Sequence, residues 1–208
     1  MKKAITTKYL HLFFYRQSNR DASAFQILEI YLRIFVLSLF IFFSQIIKAQ
    51  QIQSAEDILK EAFQQAVKEN KKVFVMFHAS WWAACVKMDT AMNDKSVKIF
   101  FDENFIITHL TVHESKGKEK LETPGAFEIL AKYKGEKLGL PFWLIFDKKK
   151  EFVGDSPMRI GYNVGCPSEK NEIDYFIKVF KKTTSITDKQ EIAVEKRFSK
   201  LPIVTINQ

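Results

Sequence analysis

Two cysteines, five prolines, seven glycines and four histidines in 208 residues leave little material for several kinds of chemistry. Cys85 and Cys166 lie far apart, so the chain has neither a dithiol pair two residues apart nor the cysteine density of a small disulfide-stapled domain. His109 and His113 are four apart, a spacing that on a strand sends both to one face without supplying a third metal ligand. Asp89, Asp94 and Asp102 do not by position alone make an acid–base pair. Positive charge is plentiful, 32 Lys or Arg against 24 Asp or Glu, but residues 1–49 hold seven of those cations and only two of the acids. The remaining 25 and 22 give a formal charge of +3. That balance argues against a nucleic-acid partner, and Lys148-Lys149-Lys150 and Lys181-Lys182 read as solvated turn and helix-end charges.

What the first 49 residues do contain is an export pattern. Lys2, Lys3, Lys8, Arg16, Arg20 and Arg33 precede the apolar run from Ile34 to Ile47, and Ala49-Gln50 offers a cleavage boundary. The run is 14 residues long, short against the roughly 20 of a transmembrane helix. Residues 1–49 therefore read as a signal peptide, with an uncleaved amino-terminal membrane anchor as the alternative. The expected location is periplasmic or extracellular, or membrane-anchored if the leader stays. No cysteine immediately follows the run to accept a lipoprotein anchor.

The remaining 159 residues suffice for one core. Ser54-Ala55-Glu56-Asp57 can start a helix, with the serine hydroxyl as cap and Leu59, Ala62, Phe63, Ala66 and Val67 as its apolar face. Val73-Phe74-Val75-Met76-Phe77 has the length and continuity of a buried strand. A helix is expected from Trp82 to about Phe100, with Asn93-Asp94 able to interrupt it, then a strand over 105–113 and a polar insertion over 114–123. Pro124 suits the first turn of a further helix carrying Phe127, Ile129, Leu130 and Tyr133. Two more strands and a helix through Ile173, Phe176, Ile177, Val179 and Phe180 follow, the latter with Ser168 as a candidate cap. The order fits an α/β fold with a mixed sheet flanked by helices over residues 50–182. Residues 183–208 read as a carboxyl-terminal extension that either packs locally or stays free.

The segment Phe77-His78-Ala79-Ser80-Trp81-Trp82-Ala83-Ala84-Cys85-Val86-Lys87-Met88 is the most informative. It places Cys85 in the first turns of a helix after a strand, where unpaired backbone N–H groups favour a thiolate if the sulfur reaches them. It resembles the thioredoxin-like superfamily, in particular small exported members whose centre reads Trp-Cys-x-x-Cys-Lys-x-Met. Trp81 matches the leading tryptophan, Trp82 stands in place of the first cysteine, Cys85 matches the second, Val86 replaces the lysine and Met88 matches the methionine. Gly139-Leu140-Pro141-Phe142-Trp143-Leu144-Ile145-Phe146-Asp147 resembles the proline-to-strand segment of that superfamily. The resemblance implies a thioredoxin-like mixed sheet, a cis bond at 140–141 and a loop that can engage an extended peptide. The physical alternative is a tight entry into a strand.

Loss of the first cysteine removes the usual attacking nucleophile, so conventional dithiol turnover is not expected. Three functions stay open. One is a protein-binding or accessory module for an exported protein or peptide client, with Trp81, Trp82, Leu140 and Pro141 as its surface. A second is a single-thiol oxidoreductase using Cys85, resolved by Cys166 or an external thiol. The third is a structural domain without redox activity. No cofactor motif is present in any of the three readings. His78 replaces an aromatic residue of the resembled centre and can act on Cys85 only if the strand end points there.

Overall fold

The computed structural model describes residues 31–39 and 52–201. Residues 31–39 are helical and exposed, and form a unit separate from the rest. No helix among the described residues is long and apolar enough to cross a membrane. The cleavage boundary at Ala49-Gln50 and the closing residues 202–208 lie outside the described residues.

From Ile52 onward the elements are α1 (Ala55–Glu69), β1 (Lys72–His78), α2 (Ala83–Met92), α3 (Lys98–Asn104), β2 (Phe105–Thr111), α4 (Ala126–Lys132), β3 (Phe142–Phe146), β4 (Phe152–Asp155), β5 (Pro157–Arg159), β6 (Tyr162–Asn163), α5 (Lys170–Thr183) and α6 (Asp188–Phe198). The main sheet runs β2-β1-β3-β4, with β2 parallel to β1 and the other neighbours antiparallel. It is the expected mixed sheet flanked by helices.

Both faces of the sheet are covered, and β1 shows how. Val73, Val75 and Phe77 join Phe142, Leu144 and Phe146 beneath the small residues Ala55, Ala62 and Ala66 of α1 and Ala126 and Leu130 of α4. Phe74 and Met76 point the other way, with Trp143 and Ile145, into Met88, Met92, Phe100, Phe101, Phe176 and Phe180. A strand buried on both faces reads as an unbroken apolar run because neither side can be polar. Phe74 stacks on Trp143 with ring centres 5.5 Å apart, and Phe176 and Phe180 close the same aromatic layer.

Local chemistry sets the ends. Ser54 accepts the Asp57 N–H at 3.1 Å and donates its hydroxyl to the Asp57 carboxylate at 2.7 Å, starting α1 as expected. Asn70 ends it in the left-handed conformation, φ 55°, and its N–H returns to the Ala66 carbonyl.

Several boundaries differ from the sequence reading. The helix after Trp82 does break at Asn93-Asp94, the interruption the sequence allowed, because the Asp94 carboxylate accepts from Ser96 and its carbonyl accepts from Val97 and Lys98, turning the chain between α2 and α3. β2 ends at Thr111, two residues early, as His113 takes φ 54°. α4 begins after Gly125, φ 81°, rather than at Pro124, whose carbonyl instead accepts the Ala55 N–H at 2.8 Å. Glu169, not Ser168, caps α5, with the Glu172 carboxylate collecting both the Ser168 and Glu169 N–H groups. The β5–β6 hairpin was absent from the sequence reading. Residues 183–201 are not a loose extension: Val194 and Phe198 of α6 are fully buried in the aromatic layer, so the core runs past residue 182.

Candidate functional site

The site is assembled at one end of the sheet, from the turn after β1, the loop before β3 and the segment after β6. β1 delivers Ala79–Trp82 to the start of α2, where Trp82 is the N-cap residue in extended conformation and offers no side-chain oxygen to the helix. Its indole turns elsewhere. Trp82 Nε1–H donates to the Leu140 carbonyl at 2.7 Å, linking the first turn of α2 to the loop before β3. Trp81 packs edge-on against Trp82, ring centres 5.1 Å apart, and donates its Nε1–H to the His113 carbonyl at 3.0 Å.

The loop before β3 is held from its other side as well. The Leu140–Pro141 peptide bond is cis, and Pro141 is buried while Leu140 is half-buried. Asn163 Nδ2 donates to the Pro141 carbonyl at 3.0 Å and also to the Gly139 carbonyl. Gly165, φ 55°, lies so close that a Cβ would sit 2.8 Å from the Pro141 oxygen, which is why a glycine stands there. Thus the carbonyls of Gly139, Leu140 and Pro141 are all occupied by side chains of the same chain.

Cys85 is the group on which single-thiol chemistry rests, and it is only 1% exposed. Burial pushes its thiol up to about 11, against a smaller lowering by hydrogen bonding from the backbone of Ala79. At neutral pH a thiol of that pKa is ionised in only about one molecule in ten thousand. The helix start therefore does not produce the thiolate that position alone would allow. Cys166 is half-buried, and burial pushes it up to about 12, with Lys87 pulling down and Cys85 pushing further up. Both cysteines are free thiols. The Gly165 and Pro141 contacts bring the Cys166 segment to the same end of the sheet as Cys85.

With this geometry, the chain matches the family described as thioredoxin-like over residues 54–148, somewhat under half its length. The fold is thioredoxin-like. Solved structures similar to this thioredoxin-like domain include a disulphide isomerase from Xylella fastidiosa Temecula1, at 15% identity over 47% of this chain and 69% of that one, TM-score 0.38. The DsbH oxidoreductase is similar at 18% identity over 64% and 83%, TM-score 0.41. The oxidised carboxyl-terminal domain of Neisseria meningitidis DsbD is similar at 20% identity over 64% and 99%, TM-score 0.39. No curated protein matches the sequence significantly.

The remaining candidate groups of the thioredoxin-like domain have ordinary partners. His78 Nε2 lies 3.1 Å from Thr111 Oγ1, and its ring faces His109 at 5.2 Å. Burial holds the His78 pKa below its usual value, with His109 adding to the effect and Asp89 and Glu114 opposing it. His109 pairs with Asp89 at 2.8 Å, Asp94 with Arg197 at 2.9 Å and Asp102 with Lys98 at 2.8 Å, so the three aspartates serve three separate contacts. His113 is exposed and sits against the Phe127 ring, away from His109's ion pair. No cluster of three metal-ligating groups occurs among the described residues.

Sequence reasoning missed Asn163, His113 and Glu114 as parts of the site. Asn163 and His113 reach it through long-range packing that no local pattern encodes. Glu114 carried a signal: a single acid at the exit of an apolar strand.

Proposed function

We propose that this protein is an exported accessory module that binds a protein or peptide client through the face formed by Trp81, Trp82 and Leu140, with the buried Pro141 setting the loop beneath it, without dithiol turnover. The observation that carries the reading is the Trp82 indole. It stands where the resembled centre has its attacking cysteine, and its bond to the Leu140 carbonyl fuses the α2 start and the Pro141 loop into one surface. Trp81, half of whose surface is open to solvent at 51%, supplies a large amphipathic ring held at a fixed angle. A buried Cys85 with a raised pKa favours this reading over a single-thiol oxidoreductase. Export rests on the amino-terminal pattern, with a retained membrane anchor as its variant.

The test is capture of clients from the exported fraction by the mature domain, with Cys85→Ser, Trp81→Ala and Trp82→Ala variants run beside it and thiols labelled residue by residue. The expected result is that Cys85→Ser captures the same client as the wild type, while each tryptophan variant loses at least tenfold in yield. Reversible, selective mixed-disulfide formation at Cys85 in the folded protein, with capture abolished by Cys85→Ser, would sink the proposal in favour of single-thiol chemistry. Equal capture by all variants would sink the tryptophan face as the binding site, and no selective capture by the wild type with no reactive thiol would leave only a structural domain.

A further inference from the structure

Glu114 stands out as one of only three buried polar or charged residues among those described, the others being Ser156 and Thr183. Ser156 closes the sheet by accepting the Trp143 N–H at 3.0 Å, and Thr183 bonds back to the Val179 carbonyl of its own helix at 2.8 Å. Glu114 does neither. Its carboxylate crosses to the turn after β1, where Oε1 accepts the Ser80 backbone N–H at 2.6 Å and Oε2 accepts the Ser80 hydroxyl at 2.8 Å.

The loop that carries Glu114 is itself braced. The Glu114 N–H donates to the Glu122 carboxylate at 2.9 Å, the Val112 N–H to the His78 carbonyl at 2.9 Å, and the Thr123 N–H to the Thr111 carbonyl at 2.9 Å. The neighbouring His113 takes the left-handed conformation, and its carbonyl receives the Trp81 indole. The Ala79–Trp82 turn contributes one further bond of its own, Trp82 N–H to the Ala79 carbonyl at 3.2 Å. A carboxylate receiving two donors from one residue makes a strong, directional contact. Here that residue is the one immediately before the tryptophan pair.

We infer that Glu114 is the positioning residue of the Trp81–Trp82 face: its carboxylate fastens Ser80, and so fixes the orientation at which both indoles are presented. The inference rests on the binding reading above for the purpose of that face, but the clasp itself is a property of the free protein. The Ser80 bonds also hold the Glu114 carboxyl below its usual range, the backbone N–H being the largest cause, which keeps it charged and accepting. Exposed aromatic rings bind best when they lose little freedom on binding, so a clasp that prepays that ordering raises affinity without touching a client.

The three tryptophans provide an internal gauge, since each indole N–H has its own carbonyl: Trp81 to His113, Trp82 to Leu140 and Trp143 to Gly165. The experiment measures indole N–H chemical shift and hydrogen exchange by NMR in the mature domain, with no client present, for the wild type, Glu114→Gln and Glu114→Ala. Gln keeps the shape but not the charge, its amide oxygen able to accept the Ser80 N–H and its NH₂ to meet a Ser80 hydroxyl turned round to accept, while Ala removes the contact. The expected result is at least tenfold faster exchange of the Trp81 indole in Glu114→Ala, a smaller acceleration in Glu114→Gln, where the contacts persist without the charge, a smaller change at Trp82 and none at Trp143. Unchanged exchange at Trp81 would overturn the inference. So would equal acceleration at all three indoles in Glu114→Ala, because the carboxylate would then hold the whole fold rather than this face. Because no client enters the measurement, its failure is distinct from failure of client capture.

Discussion

Trp143 and the Trp81–Trp82 pair make the same hydrogen bond in opposite surroundings. Each indole N–H reaches a backbone carbonyl, but Trp143 is fully buried against Phe74 and Phe176, whereas Trp81 leaves half its surface in water. Inside the core, the bond satisfies a polar atom that apolar burial would otherwise strand. At the surface water could satisfy the same atom, so the bond contributes orientation more than stability. The difference separates a tryptophan that builds the fold from a half-buried one and an exposed one that the fold orients.

That contrast can be broken by measurement. Trp143→Ala should cost about 3–5 kcal/mol in urea unfolding, the usual penalty for emptying a large aromatic site. Trp82→Phe keeps most of the ring and removes the indole donor to Leu140, so about 0.5–1.5 kcal/mol is expected, the net worth of one hydrogen bond. Trp81→Phe should fall within about 0.5 kcal/mol of wild type, as exposed substitutions do. Equal costs at Trp82 and Trp143 would make the surface pair part of the core and dissolve the comparison.

A finer probe lies between the two regions, at His78, which leads from β1 into the tryptophan turn. Its folded pKa is below the ordinary 6.5. Above that value both states are neutral and nothing is lost. As pH falls below 6.5 the unfolded chain takes up the proton first, so stability declines until the folded His78 is also protonated. A His78→Gln variant should show a flatter stability profile over that acidic range, the smallest of these effects, and an unaltered profile would remove His78 as its source.

The fold was largely legible because its signals are local. The Val73–Phe77 run, the Ser54 cap and the apolar spacing of Ile173, Phe176, Ile177 and Phe180 each specify an element within a few residues. α6 was harder to read, since its sequence is dominated by charge and only Val194 and Phe198 are fully buried. The split between α2 and α3 depends on how Asp94 divides its bonds among Ser96, Val97, Lys98 and Arg197, and Arg197 is remote in sequence. In the site, the contacts run from Trp81 to Trp82 and from Trp82 to the Leu140 carbonyl, and neither is encoded in the local sequence. The fate of Cys85 was not readable: a helix start favours the thiolate and burial opposes it, and only packing shows that burial wins. The Asn163 fork depends on a hairpin too short to leave a pattern.

β1 and β3, apolar on both faces and paired at the centre of the sheet, also describe a hazard that exists before folding. Val73–Phe77 and Phe142–Phe146 are short, uncharged, proline-free and rich in β-branched and aromatic residues, the composition that pairs between chains when exposed. Each is flanked by lysines, Lys71-Lys72 ahead of the first and Lys148-Lys149-Lys150 behind the second. In the native protein Lys71, Lys72 and Lys148, with Lys182, line a cavity of about 450 Å³ at the end of the sheet remote from the Trp81–Trp82 pair. In the unfolded chain the flanking lysines are like charges guarding two sticky segments, and refolding yield at high protein concentration is the quantity they govern.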